Sequence, residues 1–184
     1  MSGRVRIRLL YWITLCLASQ IGGGLVGAAT DLPQALHLQP PNEAVEAPDF
    51  TLKDPGGKQI HLKDLRGKLV FLSFFATWCG PCREEMPAME DLHQAYRDKD
   101  LSFLAIDMRE SGKAVKAFLQ ELKISFPTVL DEDGAVGHDY GVRALPVSFL
   151  VGRDGMIMWR AIGSRDWNSP QARRYFAQLL NGKK

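Results

Sequence analysis

A chain of 184 residues is long enough for one well-buried domain and too short for two of ordinary size. Its 46% hydrophobic and 24% charged residues give the balance of an ordinary globular protein. Of 23 Lys and Arg, three fall in the first 29 residues beside no acid, leaving 20 against 21 Asp and Glu. Without a basic excess to displace phosphate counterions, nucleic acid is not expected as a partner.

Residues 1–29 read as an export signal. Arg4, Arg6 and Arg8 form a positive start, followed by the uncharged run Leu9–Leu17 and a weaker extension through Ala29. Small residues at Val26-Gly27-Ala28 and Gly27-Ala28-Ala29 suit a signal peptidase, predicting cleavage after Ala28 or Ala29. The alternative is an uncleaved anchor at the inner membrane, since about 20 residues span a bilayer. Gln20 and the triplet Gly22-Gly23-Gly24 weigh against it. Cys16 follows Leu15, where a lipoprotein site expects a small residue, and reads as a small apolar member of the signal. The expected location is periplasmic or otherwise extracytoplasmic.

Residues 30–46 hold Pro33, Pro40 and Pro41 and no clear period, and read as a linker to a domain over 47–184. Phe50–Leu52 and Gln59–Leu62 alternate around Asp54-Pro55-Gly56-Gly57, a hairpin pattern. Leu69–Phe75 is a nearly continuous apolar run of strand length, as in a central strand buried on both faces. A helix follows over about Cys79–Arg97, with Met86, Met89, Leu92, His93 and Tyr96 at helical spacing and a kink predicted at Pro87. Leu101–Asp107 reads as a strand, Lys113–Leu122 as a helix, and Thr128–Leu130 as a strand. A turn over Asp131–Gly134 then leads into a short helix through Tyr140. Val147–Val151 and Met156–Ala161 form a second hairpin, and Pro170–Leu180 closes as an amphipathic helix. Alternating strand and helix with a terminal hairpin predicts an α/β fold around a mixed sheet.

Removing the signal leaves Cys79 and Cys82. A disulfide between residues three apart closes too small a loop to staple a fold, so the pair is there for its chemistry. Trp78-Cys79-Gly80-Pro81-Cys82-Arg83 lies where a buried strand ends and a helix begins. Free amides and the helix dipole stabilise an anion there, so Cys79 is the expected nucleophilic thiolate. Cys82, one turn in, is placed to resolve a mixed disulfide. Pro81 starts the helix without removing a needed donor. An inert disulfide or half a zinc site is the plainer alternative. However, no second CxxC exists, and His37, His61, His93 and His138 are scattered without ligand spacing, so no metal is expected.

The string Trp78-Cys79-Gly80-Pro81-Cys82 is identical to the thioredoxin active-site motif, and Pro87 lies five residues past the second cysteine, as does that fold's kink proline. Ala144-Leu145-Pro146-Val147 resembles the loop that holds the fold's cis-proline facing the cysteines. The resemblance implies that Leu145 offers its backbone to an extended substrate, while Pro146 has no amide to compete. An edge-strand or turn proline is the alternative for Pro146.

More narrowly, the chain resembles the TlpA/ResA branch of exported thioredoxin-like proteins over residues 45–182. The likeness rests on Ala47-Pro48-Asp49-Phe50, Phe126-Pro127, Tyr140-Gly141-Val142, Phe149-Leu150 and Gly163-Ser164-Arg165-Asp166-Trp167. It implies a thioredoxin-like fold, a central mixed sheet flanked by helices with an added N-terminal β-hairpin. It also implies reduction of disulfides in exported clients, apocytochrome c among them, by a monomer that a membrane electron conduit re-reduces. No cofactor is implied beyond the redox-active Cys79–Cys82 pair.

Two positions bear on mechanism. Ser73 stands six residues before Cys79, where thioredoxin has a buried aspartate, and serine cannot ionise. Glu85, three residues after Cys82, matches an acidic position of the ResA branch. A carboxylate there raises the thiol pKa values or accepts a proton during resolution. The alternative is a solvated helix residue pairing with Arg83. Trp78, Gly80 and Pro81 join Leu145 and Pro146 as the expected contact surface for a client.

Three rival functions are open. A disulfide-donating oxidant has the same fold, although Gly-Pro between the cysteines matches the reducing end of the superfamily. A peroxiredoxin needs Thr or Ser three residues before its reactive cysteine and Pro seven before, where this chain has Ala76 and Leu72. A copper metallochaperone finds soft ligands in two thiolates, but copper carriers of this fold space the cysteines by three and add a histidine, absent around Leu145-Pro146.

Overall fold

The computed structural model describes residues 32–182. The segment read as an export signal, with Cys16, lies outside the described residues. Among those described, no helix is long and apolar enough to cross a membrane.

The chain runs α1 (Leu32–Ala35), β1 (Thr51–Lys53), β2 (Gln59–His61), a 3₁₀ turn (Leu62–Leu65), β3 (Leu69–Phe75), α2 (Gly80–Tyr96), β4 (Leu101–Met108), α3 (Gly112–Glu121), β5 (Thr128–Asp131), α4 (Ala135–Asp139), β6 (Val147–Val151), β7 (Ile157–Ile162) and α5 (Pro170–Asn181). The strands form one mixed sheet in the order β2-β1-β5-β4-β3-β6-β7. β3 is parallel to β4 and β4 to β5, while β6 and β7 return antiparallel. This is the thioredoxin-like architecture, extended by the β1–β2 hairpin.

β3 is buried along its whole length, and its alternating side chains divide the core. Leu69, Phe71 and Phe75 face one side with Met86, Leu92, Phe103, Trp159, Trp167 and Phe176. Val70, Leu72 and Phe74 face the other with Leu104, Ile106, Val129, Tyr140 and Phe149. Phe71 centres the first layer, its ring 5.0 Å from Phe103 and 4.9 Å from Trp167. The one polar residue of β3, Ser73, pairs across the sheet with Ser148, their hydroxyls 3.4 Å apart. The thioredoxin-type buried carboxylate is thus replaced by two neutral hydroxyls.

The linker expected over residues 30–46 is corrected from Leu32 onward. Leu32, Leu36 and Leu38 are buried in the first core layer, and α1 packs against α5. The chain then crosses the edge of β7, where Gln39 bridges Arg160 and Glu46 bridges Met156. Three leucines without a regular period give no sequence signal; only the surface of α5 beneath them makes their burial favourable. The helix carrying the cysteines runs through Pro87 without interruption.

Candidate active site

β3 ends at Phe75, and Ala76-Thr77-Trp78 leads from it to Cys79, the N-cap of α2. Cys79 Sγ accepts the Cys82 N–H at 3.3 Å, so an amide of the helix's first turn already points at the sulfur that must carry negative charge. Pro81 occupies the first turn, where no amide is missed. Cys79 and Cys82 are joined by a disulfide, with Cα atoms 5.3 Å apart. Cys79 is 6% exposed and Cys82 0%. An incoming thiol or disulfide therefore meets Cys79 first. Gly80 is exposed and carries no side chain to obstruct that approach.

Beside the pair, Trp78 is 72% exposed. It lines one groove together with Leu145. The Leu145–Pro146 peptide is cis, and Pro146 is buried. Val147 pairs with Phe74, which sets Pro146 level with the end of β3, where the cysteine loop begins. The structure thus gathers Trp78, Cys79, Gly80, Pro81, Cys82, Leu145 and Pro146 around one end of the sheet.

Glu85 is on the same face of α2 as Cys82, one turn further on, and is 3% exposed. Burial pushes its carboxyl up to about 7, opposed in part by the Arg165 amide, the Trp167 indole and the Arg165 charge. The Arg165 N–H donates to Glu85 Oε2 at 3.1 Å, whereas the indole N–H lies near without closing a hydrogen bond. The Arg165 guanidinium is held elsewhere, donating to the carbonyls of Leu36, His37, Ile162 and Gly163. Arg83 does not reach Glu85; it forks onto Glu121 at 2.8 and 3.1 Å and lies over the Phe118 ring. The solvated-helix alternative for Glu85 is therefore excluded.

A second carboxyl went unnoticed in the sequence. Asp107, near the end of β4 and paired with Phe75, is fully buried. Burial first, then the nearby carboxylates of Glu110 and Asp131, raise it to about 8. Glu110 approaches with its amide and carboxyl, but neither Asp107 oxygen completes a hydrogen bond. Glu110 itself accepts from the Thr77 N–H at 2.5 Å and the Thr77 hydroxyl at 2.6 Å, bracing the loop ahead of Trp78. Its place at the carboxyl end of the largely apolar strand Leu101–Met108 was the one hint available, because ligand chemistry gathers at the carboxyl ends of parallel strands.

A redox-active cysteine pair at the N-terminus of a helix, on a sheet of this topology and next to a cis-proline loop, defines a thioredoxin-fold dithiol–disulfide protein. The chain belongs to the AhpC/TSA family, whose model matches residues 44–160, and is of the ResA type of thiol–disulfide oxidoreductase. The thiol–disulfide oxidoreductase ResA of Bacillus thuringiensis (strain Al Hakam) is 43% identical over 120 residues, covering 65% of this chain and 69% of the relative. ResA of Bacillus subtilis (strain 168) is 39% identical over 117 residues, 64% and 65% of the two chains. Among solved structures, a Chlorobium tepidum protein assigned as thiol:disulfide interchange protein DsbE is 31% identical, with a TM-score of 0.68 over 76% of this chain and 98% of that one. The positions where the peroxiredoxin alternative needs a hydroxyl and a proline are the buried apolar Ala76 and Leu72.

Proposed function

We propose that this domain is an extracytoplasmic reductase of protein disulfides, delivered by residues 1–29 and serving exported clients such as apocytochrome c. The Cys79 thiolate attacks one sulfur of a client disulfide, forming a mixed disulfide and releasing the other as a thiolate. Cys82 loses its proton, with Glu85 as acceptor, and attacks Cys79 Sγ. The second client thiolate leaves, two electrons have passed to the client, and the domain carries the Cys79–Cys82 disulfide. A membrane thiol-reducing conduit then returns two electrons to the monomer.

The observation that carries the reading is the buried carboxyl of Glu85 one turn from the fully buried Cys82. A carboxylate at that position opposes thiolate formation and so destabilises the reduced form. The strong bacterial oxidant works by the reverse effect, a stabilised reduced form. Equilibrating the domain in thiol redox buffers tests the reading. A potential near or below about −270 mV, the value for thioredoxin, is expected, whereas one near about −120 mV makes the protein a disulfide donor.

A further inference from the structure

Next to the cysteines lies a groove of about 400 Å³, running from Trp78 past Met108 and Val142 to Leu145. Its walls carry two guanidinium groups, Arg109 and Arg143. Neither forms an ion pair or a side-chain hydrogen bond among the described residues, whereas several charges around them are engaged. Asp131 accepts the α4 amides of Val136 and Gly137. Glu110 holds Thr77, Asp133 caps Ala135, and Asp139 sits 3.5 Å from His138.

Arg109 is also held in an unusual way. Its backbone is left-handed, with φ 64°, a conformation that residues with a Cβ adopt only where their surroundings over-determine it. Its N–H donates to the Asp131 carbonyl at 3.0 Å. Its guanidinium lies across Gly134, itself left-handed at φ 77°, where any Cβ would collide with it. The turn after β4 and the start of α4 thus hold this cation at the groove wall.

We propose that this groove selects clients bearing an acidic side chain within a few residues of the cysteine that Cys79 attacks. The inference rests on the disulfide-exchange reading above and names the chemistry of its substrate. The client strand lies over Trp78 and along Leu145, and its carboxylate is received by the Arg109 and Arg143 forks, the geometry in which arginine binds carboxylates best. The exposed indole gives the segment an apolar platform beside the cations.

The test uses the reduced domain and a set of disulfide-bonded peptides identical except for Glu, Ala or Lys two residues from one cysteine. Exchange with the Glu peptide is expected to be about tenfold faster than with Ala, and Lys slowest, since charge complementarity acts on encounter. The Glu-to-Ala ratio should fall towards one at about 0.5 M salt, where screening shortens to a few ångström. Arg143→Gln should lower that ratio, and Arg143→Glu should invert the order in favour of Lys. Arg143 sits in a loop, so these variants avoid disturbing the turn that Arg109 occupies. Equal rates for all three peptides, or a preference unmoved by Arg143→Glu, overturn the assignment while leaving the reductase reading intact. Exchange with none of the peptides overturns both.

Discussion

Two of the carboxyl groups buried in this domain, Glu85 and Asp107, hold their protons far above the usual range, yet their surroundings differ in kind. Glu85, raised to about 7, receives an N–H from Arg165 and lies near a cationic side chain and an indole N–H, all favouring the charged form. Asp107, raised to about 8, faces Glu110 and Asp131, and no hydrogen bond reaches either of its oxygens. Burial opposes ionisation in both places. At Glu85 the neighbours offset part of it; at Asp107 the neighbouring carboxylates add to it and outweigh the Glu110 amide. The first group is thereby poised to exchange its proton near neutral pH, while the second stays neutral. A raised pKa alone does not mark a proton carrier; the donors around the group do.

The largest expected effect separates the two through stability. For each acid the folded pKa lies above the ordinary one, so its contribution is fully present below the unfolded value and is lost as pH rises through the folded value. For Asp107 that window runs from 3.8 to about 8, and for Glu85 from 4.5 to about 7. Asp107→Asn should therefore gain roughly 2–5 kcal/mol over the native domain at pH 9 and little at pH 4 in urea unfolding. Equal stabilisation at both pH values would mean that Asp107 is not neutral in the fold.

Next in size is catalysis. Glu85→Gln is expected to slow disulfide exchange about 10²-fold at pH 7 and to abolish a rate inflection near that pH. Asp107→Asn should leave that inflection in place. Should the two variants exchange their phenotypes, the contrast drawn from their neighbours is wrong.

A smaller effect is expected at Glu110. Glu110→Gln removes one like charge beside Asp107 and so lowers its folded pKa; the pH-dependent loss of stability should become smaller and end at a lower pH. Releasing Thr77 from its paired acceptor should cost about 1 kcal/mol, read from thermal unfolding near pH 6. Smallest is Arg83→Ala. That side chain follows Cys82 directly but pairs outward with Glu121 in solvent, so little stability should be lost. The Glu85-dependent rate profile should not move.

Legibility in the sequence followed the range of the forces involved. β3 was readable to the residue because seven consecutive buried positions leave an apolar run that needs no partner to be recognised. The cysteine motif was readable because its chemistry requires a strand on one side and a helix on the other. Glu85 was legible as a position and not as an environment: on α2 a solvated and a buried glutamate look alike until Arg165 and Trp167 arrive from 80 residues away. Asp107 and Glu110 read as an ordinary strand end and a loop acid, because nothing local reveals that the two meet beneath Thr77. Arg109 depended on a left-handed turn that arginine does not advertise. Leu32, Leu36 and Leu38 fell among prolines and polar residues, and only the bed supplied by α5 makes them core.

That last segment also closes off something the sheet would otherwise leave bare. β7 is an outermost strand, half-exposing Met158 and Ile162. Its outward N–H groups at Ile157 and Arg160 are taken by the carbonyls of Val45 and Gln39, at 2.8 and 2.9 Å. An unclaimed row of this kind is a template on which a second chain can grow. The stretch between α1 and Ala47 thus serves as a built-in stopper against self-association. A chain trimmed to begin at Ala47 would keep its cysteines and lose its colloidal restraint.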